Sequence, residues 1–161
     1  VSVIFALHTR FSAQIRYGDV GAVLAEICGG REITAQDVSD AVCRIRRSKL
    51  PDPAHLGNVG SFYKNPIVSA EQAAGLTEAY PTMPHYPQAD GSVKLAAGWL
   101  IEQCGLKGTQ VGQAAVHDRQ ALVLVNKGGA TAADVQALSE RVCAAVAEKF
   151  GVQLHSEPDW V

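Results

Sequence analysis

The 161-residue sequence has no long hydrophobic run and no marked excess of charge of either sign. Its longest apolar runs, such as residues 121–125, are far shorter than the roughly 20 residues that a membrane-spanning helix needs. Lys and Arg total 14 and Asp and Glu total 16, which gives a formal net charge of −2. No overall electric field favours nucleic acid or a membrane surface, and neither is predicted as a partner.

Cysteine is scarce, and its spacing excludes the common metal motifs. The sequence contains no CxxC pair and no Cys/His cluster with metal-ligand spacing, so we predict no metal site. The cysteines are Cys28, Cys43, Cys104 and Cys143. Each stands in an apolar or helical pattern, which predicts buried reduced thiols and a cytoplasmic protein.

Internal repeats, low-complexity linkers and an initiating Met are also absent. With 47% hydrophobic residues, the chain is long enough for one well-buried core, or for one domain and part of another. Residues 1–7 have a strand-like pattern from the first position. We therefore expect this chain to be a piece of a longer protein.

Local patterns in the first third of the chain predict two strands and a helix. Residues 1–7 and 13–17 are rich in β-branched or aromatic residues, which predicts paired strands, whereas residues 18–31 give no clear signal. Apolar residues at helical spacing follow Thr34, and basic residues end the run before Pro51. This pattern predicts a capped helix with a favourable dipole at its carboxyl end.

The remaining two thirds alternate helices and strands irregularly. Ser69 is predicted to cap a helix over residues 70–79, and Thr131 to cap the longest helix, which Gly151 ends. Further predictions are an extended proline-rich loop (80–88), a helix (95–104) that Gly105 closes, and strands at 111–116, 121–125 and 152–154. Without regular βαβ alternation, this order predicts an α+β fold.

Residues 57–65 read Gly-Asn-Val-Gly-Ser-Phe-Tyr-Lys-Asn and carry the strongest chemical signal. The two glycines let the backbone approach a ligand closely. Ser61, Lys64 and Asn65 supply a hydroxyl, a cation and an amide within five positions. The segment therefore predicts a local site for an anionic substrate.

Several longer motifs resemble those of one family. They are Lys-Leu-Pro-Asp-Pro at 49–53, the segment 57–66, residues 86–101, which begin Tyr-Pro-Gln-Ala-Asp-Gly-Ser, and residues 112–122. Together they resemble the UDP-N-acetylenolpyruvoylglucosamine reductase (MurB) family over residues 16–161. The resemblance implies the end of an FAD-binding domain at residues 1–50, followed by a substrate-binding domain of antiparallel or mixed strands and packed helices at 51–161. It also implies that the N-terminal FAD-binding region is absent from this chain.

The family resemblance implies a flavin-dependent oxidoreductase of peptidoglycan precursor synthesis. Such enzymes use NADPH to reduce FAD, and reduced FAD passes hydride to UDP-N-acetylglucosamine enolpyruvate to give UDP-N-acetylmuramate. Ser61 matches the proton donor to C2 of the intermediate, and Glu157 matches the catalytic glutamate, which acts with an arginine outside this chain. In isolation, Ser61 would be interpreted as a turn residue and Glu157 as a solvated tail residue.

Five further residues match positions that line the UDP-sugar site in the family: Lys49, Asn65, Tyr86, Lys107 and Gln120. Cations and amides suit a diphosphate, although a lone lysine is most often a solvated surface charge. Arg46 is assigned to the flavin, with a helix-end cation as the alternative. His8, His55, His85 and His117 are predicted to be loop or surface groups, with His85 beside the ligand next to Tyr86.

Three functions remain open from the sequence alone. The first is the C-terminal part of a monomeric cytoplasmic reductase whose substrates are the UDP-sugar and NADPH. The second is an isolated UDP-sugar-binding module that is inactive because its FAD region is missing. The third, an interaction domain of α+β type, would fit the composition but not the Ser61 motif.

Overall fold

The computed structural model describes residues 2–15 and 18–160. Within them lie five helices and seven strands, and the chain divides into two compact units at residues 1–49 and 50–161. The first unit contains α1 (Val20–Cys28) and α2 (Ala35–Lys49). Every helix of the described residues is too short or too polar to cross a bilayer.

The two helices of the first unit pack through apolar side chains that recur at helical spacing. Val20, Leu24 and Cys28 on α1 form a small core with Ala41 on α2. Asp37 fixes the start of α2, because its carboxylate accepts hydrogen bonds from the Thr34 N–H at 2.9 Å and from both terminal nitrogens of Arg31. The Arg31 guanidinium beside it holds the pKa of Asp37 far below its ordinary value.

The second unit contains two antiparallel sheets. The first has the strand order β1-β7-β6-β5 and the second the order β2-β4-β3. The strands are β1 (Gly57–Ser61), β2 (Ile67–Val68), β3 (His85–Pro87), β4 (Val93–Leu95), β5 (Gln110–Val111), β6 (Ala114–Val116) and β7 (Val123–Asn126). The helices are α3 (Ala70–Ala79), α4 (Ala97–Gln103) and α5 (Ala132–Phe150).

Both faces of the four-stranded sheet are covered. Val116 and Leu124 face the main core, whereas Ala115, Val123 and Val125 form a second cluster with Leu50 and Leu56. This alternation explains why β6 and β7 read as continuous apolar runs, since a strand buried on both sides has no polar positions. The main core also includes Leu100, Ile101, Leu138, Val142 and Val146, all fully buried on α4 and α5.

Local signals predicted the ends of α3 and α5 correctly. The Ser69 hydroxyl accepts the Gln72 N–H at 3.1 Å, and Thr131 and Asp134 form a reciprocal capping box at the start of α5. Gly151 ends α5 with a φ of +64°, a left-handed conformation that suits glycine. These caps depend on residues close in sequence, which is why the sequence alone predicts them.

Several strand predictions were wrong. No strand forms in residues 2–15, and the rest of the two predicted segments, Val1, Arg16 and Tyr17, lies outside the described residues. The unassigned segment 18–31 contains α1. Residues 152–154 alternate buried and exposed side chains but pair with no strand of the described residues, since the neighbouring bridge joins Tyr63 to Ser156.

Other boundaries shift because strand pairing overrides local pattern. The predicted loop 80–88 contains β3, and Leu95 belongs to β4 rather than to the helix that follows. Residues 111–116 form a hairpin, in which Gly112 makes the turn between β5 and β6. Of the four cysteines, Cys28 is buried but Cys43 is exposed, which corrects the prediction of uniformly buried thiols; all four are free.

Candidate functional site

Ser61 lies at the end of β1, directly after an irregular turn of the strand. The register against β7 shifts between Asn58 and Ser61, and Gly60 has a φ of +79°. Asn58 stabilises this bulge, because its Oδ1 accepts the Gly60 N–H at 3.0 Å and its Nδ2 donates to the Leu56 carbonyl at 2.8 Å. A bulge of this kind changes the direction of the next side chain, here the exposed Ser61.

The C-terminal segment is held against the residues that follow Ser61. The Lys64 N–H donates to the His155 carbonyl at 2.9 Å, and the Glu157 N–H donates to the Phe62 carbonyl at 2.8 Å. The Phe62 and Trp160 rings also pack edge to face, with their centroids 6.0 Å apart. These contacts fix the path of the segment that carries Glu157.

As a result, Ser61 and Glu157 line the same open cleft, which has a volume of about 540 Å³. Val59 and Pro158 complete its lining. The two side chains come from opposite ends of the unit, and nothing in their local sequence requires them to meet. A hydroxyl and a carboxyl group facing one cleft can donate and accept protons toward a bound molecule.

Asn65 and Gln120 both lie next to the first turn of α4. The Ala97 N–H donates to Asn65 Oδ1 at 3.0 Å, so Asn65 caps this short helix from outside it. Gln120 Oε1 accepts the Leu122 N–H at 3.3 Å and lies 3.6 Å from the position that a Cβ would take at Gly98. Both carbonyl oxygens are used internally, which leaves the two NH₂ groups to donate to a ligand.

Tyr86 is an exposed strand residue, whereas Lys107 is paired with an acidic side chain. Tyr86 is 54% exposed in the middle of β3, directly opposite Lys94 of β4. Lys107 Nζ forms an ion pair with Glu102 Oε1 at 2.6 Å. An ion pair at the surface contributes only about 0–1 kcal/mol, so an anionic ligand can displace Glu102 at small cost.

Arg46 and Lys49 belong to the first unit. Both are exposed near the carboxyl end of α2, where cations interact favourably with the helix dipole. Lys49 Nζ forms an ion pair with Asp19 Oδ2 at 2.6 Å, which lowers the pKa of Asp19. In the structure both residues are cations at a helix end, which is the alternative that the sequence left open for Arg46.

Residues 52–161 match the family model for the C-terminal domain of UDP-N-acetylenolpyruvoylglucosamine reductase. The chain belongs to this reductase family. The prediction from the motifs of residues 49–122 is thereby confirmed, and so is the α+β fold with a MurB-type substrate-binding domain.

Curated relatives of the family carry the same name. The UDP-N-acetylenolpyruvoylglucosamine reductase of Neisseria meningitidis serogroup C is 63% identical over all 161 residues, and that of Chromobacterium violaceum is 58% identical over 157 residues. The chain spans 46% of the length of each. A crystal structure of MurB from Thermus caldophilus is similar over 79% of this chain and 36% of the crystallised chain, with 25% sequence identity and a TM-score of 0.44.

Sequence reasoning missed residues that shape the reductase domain around Ser61. Asn58 was not selected, although an Asn two positions before a Gly is a known signal for a turn that the side chain stabilises. His117 was predicted to be a loop or surface group, and it lies in a loop, but its side chain is buried. No signal in the sequence shows that Phe62 meets Trp160, because that contact depends on the tertiary structure.

Proposed function

We propose that this chain forms the UDP-sugar site of an enzyme that reduces UDP-N-acetylglucosamine enolpyruvate to UDP-N-acetylmuramate, with Ser61 as the proton donor. The observation that carries the proposal is the shared cleft of Ser61 and Glu157. Family membership supports it, since the matching relatives are named as this reductase. We assign the reaction to peptidoglycan precursor synthesis in the cytoplasm, and the protein to a monomeric state.

The role of Ser61 follows from the chemistry of the reduction. Addition of a hydride to C3 of the enolpyruvyl group breaks its double bond and leaves an electron pair on C2, delocalised onto the carboxylate. Such a carbon is basic enough to take the proton of a serine hydroxyl, which completes the saturated product. The hydroxyl needs to be held within reach of C2, and the bulge at Gly60 serves that purpose.

Glu157 is assigned to the carboxylate of the substrate. Negative charge accumulates on that carboxylate in the enolic intermediate, and a hydrogen bond donated to it lowers the barrier. Glu157 can donate such a hydrogen bond only when its carboxyl group carries a proton, since an ionised carboxylate only accepts.

The described residues do not by themselves fit the flavin that the family uses. Arg46, the residue assigned to it, is exposed on α2, and the cleft beside Ser61 is open rather than enclosed. We assign the FAD contacts to a part of the protein outside the described residues. When bound, FAD reduced by NADPH would supply the hydride.

The diphosphate and nucleotide are assigned to the remaining polar groups. The NH₂ groups of Asn65 and Gln120 and the hydroxyl of Tyr86 are donors, and Lys107 is a cation of the same unit. Charge-assisted hydrogen bonds of this kind are the usual means of holding phosphate oxygens. The role of Lys49, which belongs to the first unit, stays a prediction from the family resemblance.

A half-reaction experiment tests the proton donor. In a hybrid in which this chain replaces the matching part of the Neisseria meningitidis relative, Ser61→Ala should leave flavin reduction by NADPH intact and block flavin reoxidation by the enolpyruvyl substrate. Stopped-flow absorbance separates the two steps. Ser92→Ala, which removes an exposed hydroxyl bonded to Asp90, is the control. Reoxidation of the Ser61 variant at the normal rate would disprove the assignment.

The alternative is a UDP-sugar-binding module without activity of its own. The open cleft of the described residues favours it for the 161-residue chain alone. The purified chain would then bind UDP-N-acetylglucosamine in calorimetry, show no flavin absorbance and not oxidise NADPH. Flavin absorbance together with turnover would favour the enzyme instead.

A further inference from the structure

His117 begins the turn between β6 and β7 and is only 7% exposed. Its Nδ1 lies 3.3 Å from the backbone N of Arg119 and 3.2 Å from that of Gln120, and it accepts a hydrogen bond from each. Two backbone bonds close the turn further: the His117 N–H donates to the Val123 carbonyl at 2.9 Å, and the Val123 N–H donates to the Gln120 carbonyl at 3.0 Å. One imidazole nitrogen thus holds two successive amides of the turn.

This arrangement requires one chemical form of the ring. A nitrogen that accepts two N–H bonds carries no hydrogen, so the imidazole is neutral and its proton sits on Nε2. Protonation of Nδ1 would place an N–H against two N–H donors and break both bonds. Burial, Arg119 and Lys127 lower the pKa of His117, and Asp118 opposes them, so the neutral form dominates at neutral pH.

The turn carries Gln120 and connects it to Ser61. Gln120 Oε1 accepts the Leu122 N–H, and the Leu122 carbonyl accepts the Phe62 N–H at 2.7 Å, one residue after Ser61. The Gln120 side chain also packs against Gly98 at the start of α4. A change in the 117–120 turn would therefore move the side-chain amide of Gln120 relative to both α4 and β1.

We infer that His117 is a positioning residue, whose neutral imidazole holds the 117–120 turn and thereby presents the Gln120 NH₂ group to the nucleotide part of the UDP-sugar. This inference rests on the proposed function of the site. It predicts that ligand binding weakens when His117 gains a proton.

Two substitutions test the inference against a purely structural role. In His117→Asn the side-chain oxygen takes the approximate place of Nδ1 and accepts without titrating near neutral pH. In His117→Leu the volume is kept but the acceptor is lost. His155→Asn, at an exposed histidine, is the matched control.

Calorimetry with UDP-N-acetylglucosamine between pH 5 and 8 gives the first measurement. The wild type and the His155 control should lose about threefold to tenfold in affinity at the acidic end relative to His117→Asn, the range that one lost hydrogen bond gives. His117→Leu should bind weakly throughout. Protonation of the ligand itself would affect every variant equally, so the difference between wild type and His117→Asn is the informative quantity.

NMR of the wild-type and variant chains gives a second measurement that needs no ligand. Long-range ¹H–¹⁵N spectra should show the Nε2–H form of His117. Exchange of the backbone N–H hydrogen of Gln120 should be faster in His117→Leu than in His117→Asn. A proton on Nδ1, equal exchange in both variants, or an Asn variant that binds as weakly as the Leu variant would overturn the inference. If the wild type binds no UDP-N-acetylglucosamine at any pH, the proposed ligand and the role of Gln120 are wrong, while NMR still decides whether His117 holds the turn.

Discussion

Replacing Gly60 with Ala isolates the contribution of the bulge to the position of Ser61. Gly60 has a φ of +79°, and a Cβ built there meets no atom within 4 Å. The cost is therefore backbone strain alone, about 1–2 kcal/mol for a residue held in the left-handed region. With urea m-values of about 1–3 kcal/mol/M for small proteins, the unfolding midpoint should fall by roughly 0.3–2 M.

The control for this substitution is Gly105→Ala. Gly105 has a φ of +70°, also meets no atom within 4 Å, and follows α4 away from the cleft. Both variants should lose similar stability in urea unfolding followed by Trp fluorescence. Asn tolerates the left-handed region better than Ala, so Gly60→Asn should recover part of the loss.

Catalysis should distinguish the two variants. Alanine relieves its strain by changing φ, which turns the Ser61 side chain away from its direction in the cleft. A displacement of about 1 Å in a reacting group can cost on the order of 100-fold in rate. In the hybrid enzyme, flavin reoxidation should slow by tenfold or more for Gly60→Ala but not for Gly105→Ala. Equal rates in the two variants would refute the role of the bulge.

Three further predictions concern stability. Gly112→Ala should destabilise the unit by about 2–4 kcal/mol in urea unfolding, because its Cβ would overlap the Asp134 carboxylate and disrupt the capping box at Thr131. A change below 1 kcal/mol would contradict the contact. Leu138→Ala, at a fully buried position, should cost about 2–5 kcal/mol by thermal denaturation, whereas Glu140→Ala on the exposed side of the same helix should change little. Hydrogen bonds from Thr131 lower the pKa of Asp134 below 3.8, so the stabilisation by its carboxylate is present above that pH and lost as pH falls further. Asp134→Asn should therefore reduce the loss of stability in acid. An unchanged pH dependence of the melting temperature would refute this role of Asp134.

The helices other than α1 were predictable because their signals are local. Ser69 and Thr131 bond to backbone groups three residues away, and Gly151 ends α5 through its own φ. The strands predicted at 1–7, 13–17 and 152–154 do not form in the described residues, since a strand forms only where another strand offers a hydrogen-bonding edge. For the same reason β3 appears in a proline-rich stretch that has no strand pattern, paired with β4.

The sequence by itself determined the family and, through the family resemblance, predicted Ser61 and Glu157 as the catalytic residues. Only the tertiary structure decided that they share a cleft, through the bulge at Gly60 and the hydrogen bond between Glu157 and Phe62. It also showed that His117, which the sequence predicted to be a loop or surface group, is a buried hydrogen-bond acceptor in the turn that carries Gln120. The physical reason is the same in each case: a motif fixes which chemical groups are available, whereas their distances and protonation depend on neighbours that are remote in sequence.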